Sequence, residues 1–289
     1  MIGYNRTIMT VEDIRKRLET LNRGPVGGRV IPASALPAGT DRPRRAPAFD
    51  LETLIPGAAV AVGASACYLA DRNVSAVWAP GGEIYDRFAS AFRDSGSAVR
   101  ADAVHESLGA CVSAGDSALL FVDLETCGFS GTPVFLIGLL FVADGGFQVV
   151  QLLARDHSEE PAILENFARH LDERPHLVTF NGKTFDWPFL ADRATHHRIK
   201  LRRPTGHCDL LHVARRCYRK LLPDCKLQTL ERHICGRRRY DDVPGSEIPG
   251  TYHHFVRTGD ATRMRDVLHH NFLDLVTTAD VMAAMLRSL

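Results

Sequence analysis

The chain has no marked excess of either charge, no closely spaced cysteine pair and no hydrophobic run long enough to cross a bilayer. Its 35 Lys and Arg against 34 Asp and Glu leave a formal net charge of +1. The molecule as a whole therefore has no field that would draw in a polyanion, and any such partner must be held by local patches. The longest apolar run, Val134 to Ala143, falls short of the ~20 residues that a membrane-spanning helix needs and reads as a buried strand. The seven cysteines are odd in number and none stands in a Cys-x2-Cys spacing. No signal-peptide-like apolar run follows Met1-Ile2-Gly3-Tyr4-Asn5-Arg6, so free thiols in a reducing cytoplasm are expected. His207, Cys208, Cys217, Cys225, His233 and Cys235 accordingly read as scattered core residues, not as a zinc site.

What is present is enough for a substantial core: 45% of the 289 residues are hydrophobic, a length suited to one large domain or a domain with an extension. Residues 1–49 hold one amphipathic helix, Val11 to Leu21, then a Gly/Pro/Arg/Ala-rich stretch, Arg23 to Pro47, that lacks the apolar residues to pack. This is expected to be a flexible arm whose Arg42, Arg44 and Arg45 are more simply solvated than bound to a polyanion. Residues 50–116 read as a small extension with a helix over Ile84 to Phe92. The main domain, 117–289, opens on the buried strand Ala118 to Val122. Strands over Val134 to Val142 and Phe147 to Leu153 follow, joined by the hairpin signal Asp144-Gly145-Gly146. The period then changes. Helices are expected over Ser158 to Leu171, with Ser158 as the cap, and over Phe185 to Ala194, Leu210 to Tyr218, Leu227 to Cys235, Thr251 to Thr258 and Ala261 to Leu289. One further strand spans His176 to Phe180. A three-strand meander followed by helix, strand and more helices predicts an α/β mixed sheet flanked by helices.

Three acidic islands interrupt the apolar segments: Asp123-Leu124-Glu125, Asn181-Gly182-Lys183-Thr184-Phe185-Asp186, and His269-His270-Asn271-Phe272-Leu273-Asp274. A carboxylate drawn into low dielectric loses several kcal/mol of hydration unless positive charge meets it, and divalent cations supply such charge. Residues two apart on a strand share a face, so Asp123 and Glu125 project together; Asp186 falls in the first turn of a helix. On a helix, His270 and Asp274 share a face while His269 points away, an order that reverses if the helix begins after His269. Read singly, each island also fits a solvated strand end, a complement to a helix dipole or a surface histidine.

The ordered combination of Asp-x-Glu after a first strand, Asn-Gly-x-x-Phe-Asp after a later one and His-Asn-x-x-Asp in a terminal helix resembles the three motifs of the DEDD-type 3′-to-5′ exonucleases, a branch of the RNase H-like superfamily. The YprB-like group of that branch is the closer likeness. It is carried also by His207-Cys208-Asp209-Leu210-Leu211 with Ala214-Arg215-Arg216, by Leu227-Gln228-Thr229-Leu230-Glu231 and by Asp241-Asp242-Val243-Pro244-Gly245-Ser246-Glu247-Ile248-Pro249. It covers about Ser117 to Leu289. The resemblance implies an RNase H-like sheet and a metal-dependent exonuclease acting on single-stranded or frayed DNA or RNA. Two Mg²⁺ or Mn²⁺ ions would be held by Asp123, Glu125, Asp186 and Asp274. One branch of the family has a Tyr four residues before the last aspartate, where His270 stands here; the other has a histidine five before it, matching His269, so the general base is one of these two. The first motif departs from the usual Glu-Thr-Thr-Gly at Cys127-Gly128. Thr126, Phe129, Asn181, Phe185 and Asn271 are the implied substrate contacts, and Asp209 and Asp241-Asp242 a helix cap and a structural loop. An endonuclease, or a noncatalytic nucleic-acid-binding module, would use the same residues. The basic stretch Arg215, Arg216, Arg219, Lys220, Arg232 and Arg237-Arg238-Arg239 either tracks a nucleic-acid backbone or is the solvated face of two helices.

Overall fold

A computed structural model describes residues 50–98, 105–128, 131–240 and 242–288. The expected helix over Val11 to Leu21, the arm around it, Phe129 and Asp241 lie outside them. In chain order the elements are α1 (Leu51–Leu54), β1 (Ala58–Val62), β2 (Ser65–Asn73), α2 (Val74–Val77), α3 (Gly81–Ala98), α4 (Glu106–Ala114), β3 (Leu119–Thr126), β4 (Val134–Ala143) and β5 (Gly146–Leu153). They continue with α5 (Glu160–Glu173), β6 (His176–Thr179), α6 (Asp186–His196), β7 (Gly206–Asp209), α7 (Leu210–Tyr218), α8 (Leu227–His233), α9 (Ile248–Thr258) and α10 (Met264–Arg287).

The seven strands form one mixed sheet in the order β1-β2-β5-β4-β3-β6-β7. β3, β4 and β5 are the antiparallel meander, and β6 and β7 run parallel to β3. The hairpin between β4 and β5 closes on the pair Ala143↔Gly146, with Asp144 at φ 49° and Gly145 at φ 72°. Two successive positive φ values match the strand twist and explain why Asp-Gly stands there. Residues 50–116, read as an extension, supply β1 and β2 to an edge of this same sheet and α3 to its helical cover. β7 and α4 have no counterpart in the sequence reading: Gly206-His207-Cys208-Asp209 is too short and too polar to show an alternation. The first turn before α5 is capped by Asp156, which accepts from Ser158 N, and not by Ser158.

Helices cover both faces, so β4 is buried along nearly its whole length. On one face Leu120, Val122 and Leu124 of β3 pack with Ala162, Ile163 and Phe167 of α5 and with Phe189 and Leu190 of α6. On the other, Leu119 and Phe121 pack with Phe88 of α3, Val213 of α7, Leu230 of α8 and the apolar residues of α10. This alternation continues into Asp123 and Glu125, which therefore project on the α10 side. Among the described residues no helix is long and apolar enough to cross a membrane.

Candidate functional site

At the carboxyl end of β3 the carboxylates of the three islands come under one another's influence. Asp123 and Glu125 are half-buried, Asp186 is buried at the first position of α6, and Asp274 reaches in from α10. Burial, followed by Asp274, Glu125 and Asp186, holds the Asp123 carboxyl well above the usual carboxylate range. Burial likewise pushes Glu125 up to about 8, against the pull of His270 and with the repulsion of Asp274 and Asp186 added. Asp186 is pushed up to about 7, chiefly by burial, although backbone groups, Leu124's among them, pull it down. Asp274 acts on all three, so the four carboxyls share a site. Among the described residues no three of the four bring an oxygen each within 4.8 Å of one another.

One residue decides the position of Asp123. Asn271 is fully buried, donates from Nδ2 to Oδ2 of Asp123 at 2.8 Å and to its carbonyl at 3.2 Å, and accepts from Gln151 Nε2 at 2.8 Å. Gln151 also donates to the Leu268 carbonyl at 2.7 Å. The amide lies over Gly138, whose strand partners are Asp123 on one side and Gln151 on the other. A Cβ on Gly138 would stand 2.1 Å from Asn271 Oδ1, so the glycine is the gap through which α10 reaches β3. Asn271, expected as a substrate contact, has its amide committed to Asp123 and Gln151 and no exposed surface.

Because α10 begins at Met264, both histidines are helical and their directions differ. His270 is buried; its Nδ1 lies 2.7 Å from Asp242 Oδ1 and its Nε2 3.5 Å from Asp274 Oδ2. Burial works to lower its pKa, but the Asp242 hydrogen bond and the charges of Asp274 and Glu125 outweigh that and hold it above the ordinary histidine value. His269 is exposed on the other side, its ring stacked near Phe272, where it lines a 430 Å³ cavity with Trp78, Arg72 and Tyr240.

Asp242 thus belongs to the site, although the sequence pattern read it as part of a structural loop, and Arg239 joins it unannounced. Arg239 donates to Glu231 Oε2 at 2.6 Å, meets Asp274 Oδ1 at 2.6 Å and Asp242 Oδ2 at 3.3 Å, and is nearly buried. The signal available was the Asp241 to Pro249 segment for Asp242 and the basic run Arg237-Arg238-Arg239 for Arg239, but spacing alone could not say which of their charges turns inward. Asp209 is the helix cap expected, accepting from Leu211 N; it also accepts from the Asn181 and Lys183 backbone, which holds the loop before Asp186 in shape. Asn181 is exposed with φ 71°, and Phe185 is exposed beside Phe189, with 5.3 Å between ring centroids. Thr126 is buried past a β-bulge and donates its hydroxyl to the Gly128 carbonyl at 2.8 Å. A cavity of about 730 Å³ borders Arg239 and Asp242 and is lined also by Arg232, His233 and Arg238; Arg237 turns inward to Asp280, while Arg215, Arg216, Arg219 and Lys220 are exposed.

The family model RNase_H_2, described as RNase_H superfamily, matches residues 120–286, from β3 nearly to the end of α10. The chain belongs to the RNase H superfamily. It is 37% identical over 164 residues to the uncharacterized protein YprB of Bacillus subtilis (strain 168), covering 55% of this chain and 40% of that protein. It is 32% identical over 162 residues to the uncharacterized protein MJ0365 of Methanocaldococcus jannaschii, covering 54% of this chain and 89% of that protein. A 90-residue segment is 33% identical to a DNA polymerase epsilon catalytic chain of Arabidopsis thaliana, 30% of this chain and 4% of that one. A solved family B DNA polymerase from Pyrobaculum calidifontis matches with TM-score 0.47 and 17% identity over 56% of this chain and 23% of that chain. The chain thus spans less than half the length of YprB and a small part of the polymerases. In this RNase H superfamily member the four acids lie where β3, α6 and α10 meet, and all four sit within the matched residues.

Proposed function

We propose that the protein is a divalent-metal-dependent exonuclease that removes nucleotides from the 3′ end of single-stranded or frayed nucleic acid. The observation that supports this most is the gathering of Asp123, Glu125 and Asp186 under the influence of Asp274, a cluster of oxygen donors in which burial disfavours the charged form of the first three and which suits Mg²⁺ or Mn²⁺. Asp123, Glu125 and Asp274 would hold one ion and Asp123 a second, with Asp186 acting through solvent. Bound there, the cations supply Lewis-acid activation of water and offset the charge that develops on the phosphodiester.

The chain's own groups do the rest. Asp242 accepts from Nδ1 of His270, which leaves Nε2 as the nitrogen facing Asp274 and free to take a proton from water. Asn271 orients Asp123, and Arg239 keeps Asp274 and Asp242 in place. Phe185, exposed before Asp186, is suited to stack on a terminal base. Arg232 and Arg238 along the neighbouring cavity suit a phosphate backbone.

The test is release of mononucleotides from a 3′-labelled strand in Mg²⁺, with DNA and RNA compared. Asp123→Asn should abolish release, and His270→Gln should lower kcat by about 10²–10⁴-fold. Internal cleavage products, or binding without any release, would overturn the proposal.

A further inference from the structure

A second constellation of donors lies apart from the carboxylates. Cys127 Sγ and one ring nitrogen each of His157 and His253 all lie within 4.8 Å of one another. Three segments distant in sequence supply them: the residue after β3, the turn after β5 and the middle of α9. The sheet brings them together because β3 and β5, both antiparallel to β4, finish at the same end of the sheet, on either side of the start of β4. The Phe135 ring of β4 stacks on Tyr252 of α9 at 4.0 Å between centroids, which fixes the helix over that end and sets His253 beside it. The His157 ring is 5.6 Å from Tyr252 and 6.1 Å from His253. The charged neighbours of Cys127 are Glu160 and Arg193, none of the four acids of the nuclease site.

A second observation points the same way. Tyr252 is fully buried and its hydroxyl has no hydrogen-bond partner, although it lies where Cys127 is the ionisable group that acts on it most strongly. A buried hydroxyl without a partner is costly and marks a place where a polar atom is expected.

We propose that Cys127, His157 and His253 bind one zinc ion, with a water in the fourth position that accepts the Tyr252 hydroxyl proton in a hydrogen bond. One thiolate and two imidazoles are a borderline-soft set that favours zinc over Mg²⁺. Zinc bonds of about 2.0–2.3 Å space tetrahedral ligand atoms about 3.3–3.7 Å apart. Both histidines are exposed, so their rings are free to rotate and close that difference. Binding deprotonates Cys127, the proton passing to solvent, and leaves a net charge of +1 on the complex. The ion would clamp the end of β3, two residues past Glu125, to α9 and to the turn before α5.

The experiment titrates the full-length protein with Zn²⁺ and separately with Co²⁺, in saturating Mg²⁺ so that oxygen sites are filled. The expected result is one equivalent of each metal, with Co²⁺ giving the near-ultraviolet thiolate charge-transfer band and the visible bands of a four-coordinate ion. Cys127→Ser should abolish the charge-transfer band. His157→Ala and His253→Ala, at exposed positions and with unchanged circular dichroism, should each weaken Zn²⁺ binding by at least about tenfold. A charge-transfer band that survives Cys127→Ser, Co²⁺ bound without it, or affinities unmoved by both histidine variants would overturn the proposal.

Discussion

At the scale of single residues, the site is governed by protons that the folded chain holds too well. Glu125 titrates at about 8 against an ordinary 4.5, and Asp186 at about 7 against 3.8. A carboxyl raised in the fold contributes stability that is complete below its unfolded value and is lost as pH rises through its folded one. In chelator, stability should therefore fall from about pH 4 to about pH 8 as these groups are forced to ionise side by side. Mg²⁺ bound as proposed would compete for the same oxygens, so the gain in Tm on adding it should be small at about pH 6 and grow steeply toward pH 8.5, with about 2–4 °C for each kcal/mol recovered. Thermal melts across that range, with and without Mg²⁺, check this, and a gain independent of pH would contradict it. Gly138 and Asn271 belong to the same scale: a missing side chain in β4 admits the one amide that fixes Asp123.

Between elements, the strongest fixture is the Glu160 carboxylate, nearly inaccessible at the start of α5. Arg193 of α6 meets it with Nε at 2.8 Å and Nη2 at 2.6 Å, His197 with Nε2 at 2.8 Å, and the Val134 N–H of β4 at 2.9 Å. Burial works to raise its pKa, but these partners outweigh that and keep it ionised. The network sets α6 against α5 and β4, and α6 carries Asp186 at its first turn. Arg193→Met would leave a buried carboxylate short of its main partner and should cost about 3–5 kcal/mol in urea unfolding. A double variant that also replaces Glu160 by Gln, neutral but still able to accept from Val134 N–H, should recover much of that loss. No recovery would mean that Arg193 matters for packing and not for charge.

Over the whole molecule, residues 50–289 should behave as one cooperative unit. Phe88 of α3 sits in an aromatic group with Phe92, Phe121 and Phe147, its ring centroid 5.1–5.9 Å from each of theirs. β2 pairs with β5 over six residues. Residues 117–289 alone would expose that cluster and the long apolar edge of β5, an aggregation hazard. Circular dichroism melts and size-exclusion chromatography should show a single transition and a monodisperse species for 50–289, and aggregation for 117–289. A shorter fragment that melts cooperatively as a monomer would refute this.

The parts legible in the sequence were those written in local periodicity, the β4–β5 hairpin from Asp144-Gly145 and helix α7 to the residue, while the four acids were singled out as candidates because carboxylates stand out in apolar segments. What was hidden has a common cause. β7 and α4 are short and weakly patterned, Asp242 and Arg239 lie in a loop rich in charge of both signs, and Cys127, His157 and His253 follow no spacing rule because they converge only through the sheet. The choice between His269 and His270 turned on where α10 begins, a boundary set by tertiary packing of Met264 and Val267 and not by a cap.

By itself the amino-acid order determined the meander β3–β5, β6 and most helices, since these follow from hydrophobic period, and it marked four candidate carboxylates through the cost of burying charge. Only the tertiary structure decided which histidine faces Asp274, that Asn271 is a brace for Asp123, and that Arg239 and Asp242 border the cluster. Those facts depend on the approach of α10 to β3 through Gly138, a distance between elements that no local pattern encodes.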